Sequence, residues 1–113
     1  MDVSSLGNQT VRITLAGRLD TQGVDRVETK FIAAIVPGCN NAVIDLSKVE
    51  FMASMGIRML VSVARTLKMR QARLALYGVP PAVGDVLEAV SLHKIIPICA
   101  TEADALAALS VHE

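Results

Sequence analysis

The sequence predicts an α/β fold: a mixed, mostly parallel sheet of four to five strands with about four helices. Two observations carry that reading. After an opening hairpin, short apolar or alternating runs trade places with helical stretches, in the order β-β-α-β-α-β-α-β-α. The chain has 113 residues, the length of one domain, and 52% of them are apolar, enough for a core without disulfide staples. It is read as a single domain over 1–113.

Each element has its own warrant. Met1 to Leu6 is a weakly patterned edge strand, and Gly7-Asn8-Gln9 is a turn signal. Val11, Ile13 and Leu15 alternate with Arg12, Thr14 and Ala16, the period of a half-buried strand. Gly17-Arg18-Leu19-Asp20-Thr21 ends it, and Asp20 or Thr21 can cap the next helix. Val24, Val27, Phe31, Ala34 and Ile35 recur at helical spacing among Asp25, Arg26, Glu28 and Lys30. Gly23 is a mild cost that suits a first turn. Pro37-Gly38 stops the helix.

Ala42 to Leu46 reads as a buried central strand, and Val49 to Met52 leads into a corner at Ser54. A helix from Ile57 to about Arg70 follows. At about 100° per residue, Ile57, Leu60, Val61, Ala64 and Leu67 share one arc. Arg58, Ser62, Arg65 and Thr66 fall opposite, with Met55 and Met59 among them. The phasing therefore predicts two methionines on the outer face beside Arg58 and Ser54. Arg73 to Tyr77 is the next strand. Pro80-Pro81 opens a helix with an apolar stripe of Val83, Val86, Leu87 and Val90. Ile95-Ile96-Pro97-Ile98 is a short strand, with Pro97 pointing to an edge or an irregular segment. Thr101-Glu102-Ala103-Asp104 has a capping arrangement before Ala105, Leu106 and Leu109 of a terminal helix. Right-handed crossovers place the helices on the faces of the sheet.

Several function classes drop out. Lys+Arg and Asp+Glu are equal at 11 each, so no net charge marks a nucleic-acid or anionic-membrane partner. Aromatic residues are 3% with no Trp, too few for a base-stacking platform. The N-terminus lacks a basic and an apolar signal region, and no apolar run approaches the roughly 20 residues of a membrane span. The expected location is cytoplasmic. Cys39 and Cys99 read as ordinary thiols of a reducing compartment. His93 sits at a helix end and His112 in the tail, and no His/Cys/Asp cluster has metal spacing. There is no phosphate loop, and Met52 breaks the Gly-x-Ser-x-Gly pattern around Ser54. The expectation is a binding module, not an enzyme, with no catalytic residue, metal or cofactor.

Ser54 admits two readings. It can be the N-cap of its helix. It can also be a modification site, because helix N–H groups and Arg58 one turn on would tolerate a phosphate of about −1.5 to −2 charges. A partner packed over Met55 and Met59 would have to desolvate that charge, so modification would switch binding.

At these residues the chain resembles STAS domains, specifically the stand-alone bacterial anti-sigma-factor antagonists. Gly17-Arg18-Leu19-Asp20 is similar to the family's Gly-Glu-Leu-Asp, with Arg18 in place of the acid. Val43 to Ser47 resembles its strand ending in Asp-Leu-Ser, and Phe51 to Gly56 its Phe-x-Asp-Ser-Ser/Thr-Gly corner. Val79-Pro80-Pro81-Ala82-Val83 with Leu87, and Ser91 to Pro97, resemble later segments. The resemblance covers nearly the whole chain and implies the STAS fold. It also implies an antagonist that binds an anti-sigma factor, often a serine kinase, and is released by phosphorylation of the serine matching Ser54. A serine phosphatase would reverse the step. Asp20, Ala53, Met55, Gly56, Arg58 and Met59 would form the partner-binding surface. Ala53 replaces the usual acid and Met55 the usual Ser or Thr. Those two departures motivate an alternative: a STAS scaffold or sensor module that is not phosphorylated and binds another signalling protein. Ligand binding is a third class, for which the sequence offers no phosphate loop and no evident apolar pocket.

Overall fold

In the computed structural model, which describes residues 1–109, the ten elements follow the predicted order with one short addition. His112 lies outside the described residues. Strands β1 (Asp2–Gly7) and β2 (Thr10–Leu19) form the antiparallel hairpin, turned by Asn8 and Gln9 at positive φ. Helix α1 (Thr21–Ile35) leads to β3 (Asn41–Met52), and α2 (Ser54–Met69) to β4 (Leu74–Tyr77). Helix α3 (Pro81–Ala89), a 3-10 turn at Leu92–Lys94, β5 (Ile98–Cys99) and α4 (Glu102–Leu109) complete the described chain.

The sheet order is β1-β2-β3-β4-β5, with every pair after the hairpin parallel. Each crossover thus moves one strand further in the same direction. Right-handed connections then stack their helices on one face. The core agrees: Ile13, Leu15, Ile44, Leu46 and Leu76 pack with Phe31 and Ile35 of α1, Leu60 and Leu67 of α2 and Val83 and Leu87 of α3. The opposite face is smaller. There Val43, Ala75 and Tyr77 meet Ala105 and Leu109 of α4.

Polar groups pin α4 across the sheet. Arg12 Nη1 donates to Glu102 Oε1 at 2.8 Å, and the Tyr77 hydroxyl donates to the same oxygen at 3.2 Å. Burial, with Asp45 and Glu102 nearby, pushes the Tyr77 phenol up to about 12. The Arg12 guanidinium is also raised, chiefly by its hydrogen bond to Glu102.

Three boundaries differ from the sequence reading. Strand β3 is continuous from Asn41 through Met52, because it takes up one extra residue between Asp45 and Lys48, opposite Thr14 and Ala16, and another between Val49 and Phe51, opposite Gly17 and Arg18, and these bulges keep both strands paired. Helix α2 begins at Ser54, three residues before the predicted start. Ile95 to Pro97 is not strand: Pro97 has no N–H to give, so pairing with β4 begins at Ile98. The Pro97 carbonyl still accepts from Leu76 N at 2.9 Å. Cys39 and Cys99 are both free thiols. No helix among the described residues is long and apolar enough to cross a membrane.

Candidate partner-binding corner at Ser54

The corner is built by two strands that end side by side. Arg18 pairs with Phe51 and Leu19 with Met52. Ala53 N then donates to Leu19 O at 3.1 Å. Both chains turn into helices at the next residue, so the starts of α1 and α2 are neighbours at the carboxyl ends of parallel strands. That edge is where open α/β sheets place their sites.

The α1 start is closed. Asp20 is extended, and its Oδ1 accepts from Gly23 N at 2.9 Å. Arg18 Nε lies 3.5 Å from Oδ2 of the same carboxylate. The Gly23 hydrogen bond, with Arg18 as a further contributor, holds the Asp20 carboxyl below its ordinary range. Asp20 is therefore a helix cap with one oxygen turned to the surface cation.

The α2 start is open, and it corrects the expectation that Ser54 caps it. Ala53 holds the N-cap position, and its methyl accepts nothing. Helical bonding already begins there: Gly56 N and Ile57 N both donate to Ala53 O, at 3.0 and 3.3 Å. Ser54 is thus the first helical residue. It is exposed, and its hydroxyl makes no hydrogen bond among the described residues.

Two predicted surface residues prove to be core. Met59 is 1% exposed. Gly56 is buried, and a Cβ on it would lie 2.6 Å from Met52 Sδ and 3.1 Å from Leu19 O. The buried arc of α2 is Gly56, Met59, Leu60, Val63 and Leu67. The predicted arc, counted from Ile57, was rotated by part of a turn. Ile57, Val61 and Ala64 sit on its flank, half-buried. The sequence carried the correction: Gly56, Met59, Leu60, Val63 and Leu67 also obey helical spacing once Met59 is counted as apolar and glycine as a contact point. Met55 is half-buried against the core, Ala53 half-buried, and Arg58 exposed as predicted.

Two corner residues escaped the sequence reading. The Arg18 guanidinium carbon stands 4.4 Å from the centroid of the Phe51 ring, and Phe51 is 38% exposed. The pair is a cation–π contact on the rim beside Ser54. Its signal is the β2–β3 register, which the bulges set and which no local pattern reveals.

The corner thus presents Ser54, Arg58, Arg18, the Phe51 ring and the half-buried Met55, supported from below by Gly56 and Met59. Among the described residues no three His, Cys, Asp or Glu side chains gather as a metal site. Two surface clefts, of about 370 and 590 Å³, are lined by other parts of the chain. The geometry suits contact with another protein surface.

Known proteins agree with this architecture. The family model described as STAS domain matches residues 5–105. The anti-sigma F factor antagonist of Paenibacillus polymyxa is 30% identical over 100 residues, 88% of this chain and 86% of that protein. An anti-sigma factor antagonist from Mycobacterium paratuberculosis superposes with a TM-score of 0.84 at 26% identity, covering 96% of this chain and 92% of the other. The unphosphorylated anti-sigma factor antagonist SpoIIAA shares the fold, with a TM-score of 0.75 at 22% identity over 99% of this chain and 98% of its own. Strand order, helix placement and a family match over nearly the whole chain lead to one conclusion: the chain belongs to the STAS domain family.

Proposed function

We propose that this chain is an anti-sigma-factor antagonist that binds its anti-sigma factor, a protein of the serine-kinase type, through the corner at Ser54. Phosphorylation of Ser54 by that kinase ends the complex, and a serine phosphatase restores it. The chain acts by binding, without catalysis or cofactor. The observation that carries the proposal is the exposed Ser54 hydroxyl, without a hydrogen bond among the described residues, at the first position of a helix whose N-cap, Ala53, has no side chain to accept one.

Asp20, Ala53, Met55 and Arg58 supply the contact surface, joined by Arg18 and Phe51. Gly56 and Met59 act from beneath, holding α2 against β2 and β3. A phosphate on Ser54 adds about −1.5 to −2 charges at a helix start whose free N–H groups accept an anion. The fold keeps its shape while the partner faces a charge it must desolvate. SpoIIAA, which shares the fold, has been solved in phosphorylated as well as unphosphorylated form.

The test is binding of the purified chain to the anti-sigma factors of its own genome. The unmodified chain is expected to bind one of them. Ser54→Asp should keep the fold, by circular dichroism, and weaken that complex by about a hundredfold. Equal affinity of a folded Ser54→Asp chain for every partner would sink the switch. A second reading, a STAS module that is never phosphorylated, is favoured by Ala53 and Met55 at positions where the family pattern has an acid and a hydroxyl. Incubation with the bound kinase and ATP separates the two, since phosphate on Ser54 by mass spectrometry excludes the second.

A further inference from the structure

The charge that balances over the whole chain is unevenly placed. Residues 51–84 contain Arg58, Arg65, Lys68, Arg70 and Arg73 and neither Asp nor Glu. Helix α2 carries three of these cations outward. Its exposed residues are Ser54, Arg58, Ser62, Arg65, Lys68 and Met69, and at helical spacing they form one stripe running from the serine to the far end. At about 1.5 Å per residue the stripe is about 22 Å long. Met69, at its end, is 87% exposed.

Among the described residues no acid pairs with those three cations: the ion pairs join Arg12 to Glu102 and Arg18 to Asp20, and none includes Arg58, Arg65 or Lys68. At the head of the helix the arrangement works against the dipole, although Lys68 suits the last turn. The first turn has no acid, Arg58 sits close to the positive end of the helix dipole, and Arg65 and Lys68 are like charges three residues apart. Helix α1 beside it interleaves Asp25, Arg26, Glu28 and Lys30, the usual mixed surface.

We propose that the outer stripe of α2 is a docking rail for an acidic face of the anti-sigma factor, extending the contact about four turns beyond Ser54. This rests on the reading of the corner as the anti-sigma-factor site. The cations steer the partner's carboxylates along the helix, and Met69 gives the far end an apolar contact. Phosphate at Ser54 then acts in a second way: it places negative charge at the head of a positive rail and cancels part of the attraction that brings the partner in.

The experiment measures association and dissociation rates of the anti-sigma factor that the unmodified chain binds, at several salt concentrations. Arg65→Glu/Lys68→Glu, far from the serine, should slow association about tenfold at low salt and change dissociation less than about threefold. The difference should fade near 0.5 M salt, roughly, as the charges are screened. Lys30→Glu on α1 serves as the charge control and should change the rate little. If the double variant associates like wild type while Ser54→Asp still breaks the complex, the rail is wrong and the corner stands. If no anti-sigma factor binds the wild type, both fall. If the partner rates are unmoved and the stripe instead binds vesicles of anionic phospholipid, the stripe is a membrane surface and the proposal is overturned.

Discussion

Two helix starts lie side by side in this molecule, and they are built alike up to one atom group. Asp20-Thr21-Gln22-Gly23 opens α1, and Ala53-Ser54-Met55-Gly56 opens α2. Both begin from an extended N-cap, and both carry a buried glycine three residues on. Each glycine lets its helix sit close to the strand ends. A Cβ on Gly23 would run into the Arg18 carbonyl, and one on Gly56 into Met52 Sδ and the Leu19 carbonyl. The difference is the cap. Asp20 closes the first helix with its carboxylate, whereas Ala53 leaves the second with no side-chain acceptor. The closed start is a structural joint, and the open one is a surface with unanswered N–H groups beside an exposed serine.

The glycines give the largest test of that comparison. In Gly23→Ala the new methyl meets backbone, which cannot swing away, so unfolding free energy should fall by about 3 kcal/mol in urea titration. In Gly56→Ala the tightest contact is a flexible methionine tip, and alanine recovers about 1 kcal/mol of helix propensity. The net loss there should be about 1 kcal/mol. Equal losses at the two sites would contradict the contact geometry.

Closing the second start is the next test. Ala53→Asp should accept from the N–H groups at the head of α2, as Asp20 does for α1, and add about 1 kcal/mol of stability. The same substitution restores the acid of the family pattern before Ser54, so complex formation should persist as the fold strengthens. A variant less stable than the unsubstituted chain would refute the view of Ala53 as an open cap.

The smallest effect is one of pH. The folded state holds the Asp20 carboxyl below its ordinary value of 3.8, mainly through Gly23 N and then Arg18. As pH falls below that ordinary value, the unfolded chain takes up the proton first. The contribution is therefore complete above it and is lost as pH drops toward the lower folded value. Asp20→Asn, which can still cap, should flatten this acid limb in thermal melts between roughly pH 5 and 2. An unchanged limb would mean that the cap does not depend on charge.

Much of this was legible in the sequence because it is local. Val11, Ile13 and Leu15 alternate, Phe31 and Ile35 keep helical spacing, and Pro37 and Pro80-Pro81 punctuate. Together they yielded the element order and the parallel sheet. The family segments placed Ser54 at a strand-to-helix corner, and it is there. What failed was phase. An apolar arc centred on Ile57, Val61 and Ala64 puts Met59 outside, whereas the helix packs through the neighbouring arc of Gly56, Leu60, Val63 and Leu67, which turns that methionine inward.

Composition and periodicity by themselves determined the order of strands and helices, with their bounds to within a few residues. Those features depend on residues within a few positions of one another. Tertiary structure alone decided the rest. It set the β2–β3 register that lays Arg18 over Phe51, the close approach that seats Gly23 and Gly56 against the strand ends, and the packing of α2 that turns Met59 inward. The physical reason is the same in each case: these depend on which distant backbones come within a few ångströms, and that is settled by how the helices pack on the sheet.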